Sequence, residues 1–364
     1  MENIKKIHQI VLQPTTFCNI NCSYCYLPNR NIKNTISPKV VENLFTYLVD
    51  GDYLGKEVEI RWHAGEPLAV NIELYKQCLE VIENIICKKT NIVYSVQTNA
   101  LPINKNWCDL FKNYNFKVGV SIDGPQHIHD RNRTNRKGIG TFDDVIKKIN
   151  LLNSFEIPFS VISVLTDYSL DFAAEIYSFF KTLNPTWLGF NAEETEGMNV
   201  SKSFAKKGFL LRYKSFMDEI FSLQLNDSLK IREFEEIKNS ILLDEKDRDN
   251  VMVEPFRIIT VDWNGNTSTF SPELISYPEF VYGNILSETM DEILAKESIK
   301  KTAFQIKKGV NKCKKECEYF AVCGGGAPSN KFWENKGFNT TSTFYCTTRY
   351  KLITDIILAN FENN

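Results

Sequence analysis

The spacing of apolar residues along the first half of the chain predicts strands that alternate with helices. Apolar residues three or four positions apart predict helices at residues 38–50, 73–86 and 142–153. In the second helix we expect Leu74, Cys78, Val81 and Ile85 to face inward. Short apolar runs predict strands at residues 8–13, 58–62, 92–97, 116–122, 160–165 and 187–191. This alternation is typical of an α/β fold with a parallel sheet and crossover helices.

Polar or glycine-containing segments follow the predicted strand ends. Loops at the carboxyl ends of parallel strands meet on one rim of the sheet. We therefore expect one rim to gather the loop that starts at Cys18 and the segments at residues 63–67, 97–99, 121–124 and 191–197.

The alternation stops near residue 198. Beyond it the pattern predicts a helix at about residues 205–224, a hairpin whose strands flank Asn264-Gly265, a cysteine-rich tail from about residue 311, and an apolar helix at about 350–361. We therefore predict two domains, residues 1–197 and residues 198–364.

Composition narrows the class of protein. The 364 residues carry a net charge of -2, so no global positive field attracts nucleic acid. The sequence contains no run of 18 apolar residues, so we expect no membrane span. The N-terminus is too polar for a signal peptide. We expect a cytoplasmic protein with neither a nucleic acid nor a membrane partner.

The ten cysteines are grouped rather than scattered. Three lie within residues 18–25 and four within residues 313–346, whereas Cys78, Cys87 and Cys108 are isolated. Grouped cysteines in a chain without a secretion signal indicate a metal site, and isolated ones are usually small buried apolar residues.

The first group, Cys18, Cys22 and Cys25, has the spacing C-x3-C-x2-C. A cubane iron–sulfur cluster normally takes four thiolates, so three leave one iron open for a substrate. The alternatives are a zinc site or three buried cysteines, but zinc usually needs a fourth Cys or His nearby, and none lies within 30 residues after Cys25.

This motif, with Tyr24 before its last cysteine and a predicted strand in front of it, resembles the radical SAM superfamily. The resemblance implies a partial (β/α)6 TIM-type barrel, a 4Fe-4S cluster on the three cysteines, and S-adenosylmethionine (SAM) on the open iron. Tyr24 would pack near the adenine of SAM.

Further segments match the superfamily at strand ends. Gly65 and Glu66, in the segment at residues 62–67, would hold the ammonium group of SAM. Ser121 would contact the ribose, and Arg133 would pair with the carboxylate, although either residue is alternatively an ordinary loop residue. Other polar residues at strand ends are candidates for contact with cofactor or substrate or, alternatively, belong to solvated loops: Gln97, Asn99, Asn191 and Glu194.

The second cysteine group resembles the SPASM extension of radical SAM enzymes. Four thiolates complete the shell of one cubane cluster, although they equally suit zinc: Cys313, Cys317, Cys323 and Cys346. The full extension holds two auxiliary clusters. The ligand places of its first cluster are vacant here, because residues 270 and 327 are Phe270 and Ala327 and no cysteine occurs at 250–256. The resemblance therefore implies a SPASM-like domain with one auxiliary cluster, and two 4Fe-4S clusters in total.

Segments at residues 62–67, 270–274, 283–285, 323–335 and 345–346 together resemble the cyclophane-forming maturases of ribosomally made peptides. That resemblance implies a precursor peptide as substrate and a flavodoxin- or ferredoxin-type electron donor. The 5′-deoxyadenosyl radical would take a hydrogen from the peptide, and a carbon–carbon bond to an aromatic ring would follow. We expect no peptide-binding domain before the first strand.

Glu273 and Glu194 are the candidate catalytic acids or bases. Glu273 lies near the place where related sulfatase maturases carry a catalytic acid, and alternatively begins a helix after Pro272. Two other functions remain open: a maturase of the thioether, ether or sulfatase type, and a non-enzymatic iron–sulfur or zinc protein.

Overall fold

The computed structural model describes residues 6–86, 90–225, 227–242 and 248–362. Cys87 lies outside the described residues. Within them, no helix has both the length and the apolar character needed to cross a bilayer. The chain forms two compact units, each assembled from separate stretches. The first comprises Met1–Asn19, Leu27–Val118 and Val251–Lys307, and the second comprises Ile20–Tyr26, Gly119–Asn250 and Lys308–Asn364.

The described residues form a nine-stranded sheet in the order β6-β5-β4-β3-β2-β1-β7-β8-β9. All six predicted strands are confirmed, although β2 begins four residues earlier than predicted. β4 contributes its first two residues to the first unit and the rest to the second. The strands are β1 (Ile7–Gln13), β2 (Leu54–Trp62), β3 (Asn91–Thr98), β4 (Lys117–Ser121), β5 (Phe159–Leu165), β6 (Leu188–Ala192), β7 (Ile258–Asp262), β8 (Asn266–Thr269) and β9 (Gly283–Asn284).

β1 lies at the centre of the first unit's part of the sheet. It pairs in parallel with β2 on one side and β7 on the other, so that Leu12 lies opposite both Trp62 and Val261. The predicted hairpin is confirmed by antiparallel β7 and β8, which turn at Gly265 with a φ of 84°. The sheet thus recruits strands from beyond residue 198. The domain boundary near residue 198 stays a prediction.

Among the described residues, the first unit contains four whole α-helices and most of a fifth, α10 (Glu297–Glu316). On α2, Tyr75, Cys78, Leu79 and Ile82 are buried, whereas the predicted inward residues Leu74, Val81 and Ile85 are only partly buried. The buried face is rotated because the Tyr75 ring packs on Trp62, 4.3 Å between ring centroids. The four are α1 (Pro38–Asp50), α2 (Ile72–Ile85), α3 (Lys105–Asn113) and α9 (Met290–Leu294), and α10 (Glu297–Glu316) crosses the unit boundary at residue 307.

The second unit has an aromatic core in which Phe190 of β6 packs against Phe180 and Phe216. The helix predicted at 205–224 begins at Phe209, directly after Gly208 with a φ of 78°. That helix is α7 (Phe209–Gln224). The second unit also contains α4 (Gln126–Asn132), α5 (Phe142–Ser154), α6 (Ala173–Leu183), α8 (Arg232–Leu242), α11 (Phe320–Cys323), α12 (Pro328–Asn335), α13 (Phe344–Cys346) and α14 (Leu352–Glu362).

Candidate functional site

In the first unit, the loop of Cys18 packs directly on the turn that follows β2. The amide of Glu66 donates to the Phe17 carbonyl at 2.7 Å. Gly65 has a φ of 58°, and a Cβ there would lie 2.5 Å from the Phe17 oxygen and 2.8 Å from the Thr15 oxygen. Only glycine permits this approach and this backbone conformation. The Gly65-Glu66 pair therefore locks the strand-two turn to the cysteine loop.

Glu66 is buried and accepts hydrogen bonds from two segments, the one after β2 and the one at the end of β3. Its Oε1 accepts hydrogen bonds from the Leu68 amide (3.0 Å) and the Thr98 hydroxyl (2.6 Å), and its Oε2 accepts from the Asn99 amide (2.7 Å). Burial raises the pKa of Glu66 to about 7, although the three donors act in the opposite direction. An ionised carboxylate has about four acceptor sites, so about one remains for a ligand.

Asn99, at the end of β3, reaches the cysteine loop. Its Nδ2 donates to the Asn19 side chain at 2.7 Å and lies 3.8 Å from the Cys18 sulfur. Hydrogen bonds to thiolate sulfur tune iron–sulfur sites. Gln97, two residues before it, is only partly buried. The first unit thus brings together Cys18, Gly65, Glu66 and Asn99, as the strand ends predicted.

In the second unit, Asp123 organises the other half of the cysteine loop. Its Oδ2 accepts from the Tyr24 hydroxyl at 2.5 Å, and its Oδ1 accepts from Arg133 Nε at 2.9 Å and from the Val164 amide at 3.1 Å. Arg133 Nη1 lies 3.9 Å from the Cys22 sulfur. Burial raises the pKa of Tyr24 well above its ordinary value, so its hydroxyl keeps its proton.

The sequence analysis did not single out Asp123, although this residue lies in the segment at residues 121–124. It also missed the support behind Arg133: buried His129 contacts the Thr141 hydroxyl at 3.0 Å, and that hydroxyl donates to the Arg133 carbonyl. Burial lowers the pKa of His129 to about 4, so the ring is neutral. The sequence gives no signal for the role of Asp123, because neither its burial nor its contact with Tyr24 can be read from it.

The remaining strand-end candidates in the second unit occupy different environments. Ser121 is the last residue of β4 and is partly buried. Asn191 accepts a hydrogen bond from Arg232 at 2.6 Å. Glu194 accepts one from Asn330 at 2.7 Å, which ties the loop after β6 to α12. The convergence of these residues with those of the first unit on one rim stays a prediction.

Glu273 belongs to the first unit, in the short 3-10 helix Pro272–Ser276 after β8. Gln13, the last residue of β1, donates to the Pro272 carbonyl at 3.0 Å and fixes the start of this helix. Burial raises the pKa of Glu273, and its carboxylate has no hydrogen-bond partner among the described residues except its own backbone. Such a carboxyl group is poised to take up a proton.

The tail cysteines gather in the second unit as free thiols. Burial raises the pKa of Cys323 to about 12, with repulsion from Cys346 and Cys313 adding to the rise. Burial also raises the pKa of Cys346. The amide of Cys317 donates to the Cys313 carbonyl at 2.9 Å, at the end of α10. Three of the four sulfur atoms are therefore near enough to influence one another's charge.

Several donors face these sulfur atoms. Buried Lys331 donates to the Cys313 sulfur at 3.3 Å, and the Thr343 hydroxyl donates to the Cys346 sulfur at 3.0 Å. The amides of Gly325 and Gly326 donate to Cys323 and thereby oppose the rise of its pKa. Donors of this kind favour thiolate over thiol.

The four thiolates of the tail suit an iron–sulfur cluster or a zinc ion. The thiolates of a cubane each bind a different iron. Free sulfurs that meet N–H and O–H donors fit such a group at both cysteine sets.

Comparison with known proteins identifies the family to which the chain is similar. Residues 12–180 match the model of the radical SAM superfamily. An uncharacterised protein of Synechocystis is 38% identical over the whole of this chain and 94% of its own length. A serine-type anaerobic sulfatase-maturating enzyme of Bacteroides thetaiotaomicron is 26% identical over 90% of this chain and 84% of its own length.

Solved structures share the fold. A structure titled native anSMEcpe with bound AdoMet superimposes with a TM-score of 0.80 and 22% identity, covering 98% of each chain. SuiB of Streptococcus suis bound to the precursor peptide SuiA gives a TM-score of 0.66 at 16% identity, covering 92% of this chain and 75% of SuiB. The fold is thus the radical SAM α/β fold with a partial, barrel-like parallel sheet. The superfamily implies a 4Fe-4S cluster and SAM. The chain belongs to the radical SAM superfamily and is a radical SAM enzyme related to the anaerobic sulfatase-maturating enzymes.

Proposed function

We propose that the protein modifies a ribosomally made precursor peptide by joining an aromatic side chain to a nearby residue through a carbon–carbon bond. Cys18, Cys22 and Cys25 would hold the SAM-binding cluster. With SAM bound, that cluster supplies a 5′-deoxyadenosyl radical that takes a hydrogen atom from the peptide. A flavodoxin- or ferredoxin-type protein would deliver the electron that starts the reaction.

The observation that carries the proposal is the arrangement of donors at the cysteine loop. Arg133 uses Nε on Asp123 and turns Nη1 toward Cys22. Its guanidinium has five N–H donors, so others remain for the SAM carboxylate. An electron carrier would gain nothing from an anion-binding arginine beside a cluster that lacks a fourth protein ligand.

The other proposed SAM contacts follow from the resemblance to the superfamily. Gly65 and Glu66 would present backbone groups and one free acceptor site to the ammonium group. Tyr24, held by Asp123, would flank the adenine. The residues proposed to complete the pocket are Gln97, Asn99, Ser121 and Asn191.

One auxiliary cluster on Cys313, Cys317, Cys323 and Cys346 forms part of the proposal. It is supported by the burial of three of these thiols, those of Cys313, Cys323 and Cys346, and by the donors that face Cys313 and Cys346. Restoring aromaticity after bond formation releases one proton and one electron from the peptide. The auxiliary cluster is a suitable acceptor for that electron.

Glu273 is the better candidate for the base that takes the proton. Burial raises the pKa of its carboxyl group, and that group has no hydrogen-bond partner other than its own backbone among the described residues. The carboxylate of Glu194 already accepts a hydrogen bond from Asn330, which weakens it as a base.

Sulfatase maturation is a second candidate, because curated relatives at 26% identity carry that name. Against it stand Phe270 and Ala327, both buried, at positions where the resemblance to the full SPASM extension expects thiolates. The structural neighbour SuiB is bound to a precursor peptide, which supports a peptide substrate.

The test is anaerobic incubation of the reconstituted enzyme with SAM, reductant and each of two substrates. One is the precursor peptide encoded beside the gene, and the other is a peptide from a sulfatase. A crosslink removes two hydrogens, about 2 Da, and abolishes the fragment ions between the joined residues. Modification of the sulfatase peptide alone, with its fragment series intact, would reject the crosslinking proposal.

A further inference from the structure

Lys331 is a lysine buried beside a cysteine. It lies in the first turns of α12, and only 3% of its surface is exposed. Its ammonium group donates to the Cys313 sulfur at 3.3 Å, and no carboxylate lies within ion-pair distance of it among the described residues. A buried ammonium group is costly unless negative charge faces it. The charge that faces Lys331 must therefore come from the sulfur side.

The loop before α12 holds the lysine against the tail cysteines. A Cβ at Gly326 would lie 3.3 Å from the Cys346 sulfur, which is a tight contact, and 3.7 Å from Lys331 Cε, which is an ordinary van der Waals contact. Buried Asn250 donates to the Gly326 carbonyl at 2.9 Å. Asn330, next to Lys331, is anchored to Glu194. The ammonium group is thus fixed by its surroundings.

We infer that Lys331 raises the reduction potential of the auxiliary cluster and so makes that cluster an electron acceptor. The inference rests on the proposed auxiliary cluster. Reduction adds one electron and no atom, so the reduced cluster carries one more negative charge. A fixed positive charge in a poorly screened interior stabilises that state more than the oxidised one. Lys331 thereby favours electron transfer from the peptide radical to the cluster.

The experiment is a redox titration, followed by electron paramagnetic resonance, of the full-length chain carrying Cys18→Ala, Cys22→Ala and Cys25→Ala. This background leaves only the auxiliary cluster, so the measurement is independent of peptide modification. Lys331→Met removes the charge, and Lys331→Arg retains it. Lys315→Met removes an exposed charge two residues from Cys313 and is the matched control.

We expect Lys331→Met to lower the ratio of reduced to oxidised cluster at least tenfold at a fixed potential, about 59 mV for one electron. Lys331→Arg and Lys315→Met should stay close to the background. An equal shift in Lys331→Met and Lys315→Met would overturn the inference. The absence of iron from the background chain would also overturn the inference, because it would show that no auxiliary cluster is present. A negative result in the peptide assay would not change the measured reduction potentials, so the two failures can be distinguished.

Lys331→Gln is the second neutral variant, in case Lys331→Met does not assemble a cluster. It should show the same direction of shift as the methionine variant. If both neutral variants lose their iron while Lys331→Arg binds iron at an unaltered potential, Lys331 acts in assembly and the inference is wrong.

Discussion

Arg133 Nε donates a hydrogen bond to Asp123 Oδ1 at 2.9 Å, and both side chains are buried. The other oxygen of Asp123 accepts from the hydroxyl of Tyr24. One carboxylate therefore orients two side chains that are proposed to contact SAM. It also supplies the negative charge that, despite burial of the guanidinium, holds the pKa of Arg133 above its usual range.

Asp123→Asn should weaken SAM binding and destabilise the fold. The change leaves the Arg133 guanidinium buried without its counter-charge, and breaking a buried pair in this way costs about 3–5 kcal/mol. SAM affinity by calorimetry on the reconstituted protein and the urea midpoint of unfolding measure the two effects. Asp144→Asn, which removes the exposed partner of Lys147, is the control and should change neither. Equal behaviour of the two variants would contradict the role given to Asp123.

The strands could be predicted because their apolar runs are short, are bounded by polar residues and are buried in the sheet. β1 and β5 illustrate this, since most residues of β1 and alternate residues of β5 are buried. The cysteine loop was visible from spacing alone. The face of α2 was misjudged because a contact between Tyr75 and Trp62, distant in sequence, decides which side is buried.

Pairings between distant segments lay beyond the sequence. Nothing in residues 257–263 indicates that β7 adds to β1 rather than starting a separate sheet. Lys331 reads as an ordinary helical lysine, and its importance comes from burial against Cys313, 18 positions away. Asp123 was passed over because its role depends on Tyr24, which lies 99 positions earlier.

Glu66 should make stability fall as the pH rises through neutrality. Its folded-state pKa of about 7 exceeds the ordinary 4.5, so the folded protein binds more protons than the unfolded chain between these values. The free energy of unfolding therefore decreases from about pH 4.5 to above pH 7, by about 3 kcal/mol from this group. Urea unfolding at pH 5, 6, 7 and 8 tests this.

Glu66→Gln should flatten that part of the pH profile. The difference between wild type and variant is the useful quantity, because acid loss of iron affects both proteins alike. Glu73→Gln, at an exposed glutamate of α2, serves as the control and should keep the wild-type slope. Parallel profiles for wild type and Glu66→Gln would show that Glu66 does not titrate in this range.

Glu273→Gln should block product formation without blocking radical generation. An amide cannot accept the proton released as the ring regains aromaticity, and loss of a general base costs roughly 10²–10⁴-fold in rate. Crosslinked peptide by mass spectrometry should fall by that factor, while 5′-deoxyadenosine is still released. Glu279→Gln changes an exposed glutamate six residues along and should remain active. A larger loss in Glu194→Gln than in Glu273→Gln would reassign the base.

Cys346→Ser should remove one cluster and leave the other. Four thiolates complete the auxiliary shell, so loss of one should lower the iron content of the anaerobically purified protein from about eight to about four per chain. Cys78→Ala is the matched control, because Cys78 is also buried and burial raises the pKa of its thiol to about 12, which keeps it protonated and inert. SAM cleavage without peptide should survive in both variants, since the first cluster depends on Cys18, Cys22 and Cys25. An iron content that is unchanged in Cys346→Ser, or zinc without sulfide at the tail cysteines of the wild type, would refute the auxiliary cluster. The protein would then hold only the SAM-binding cluster.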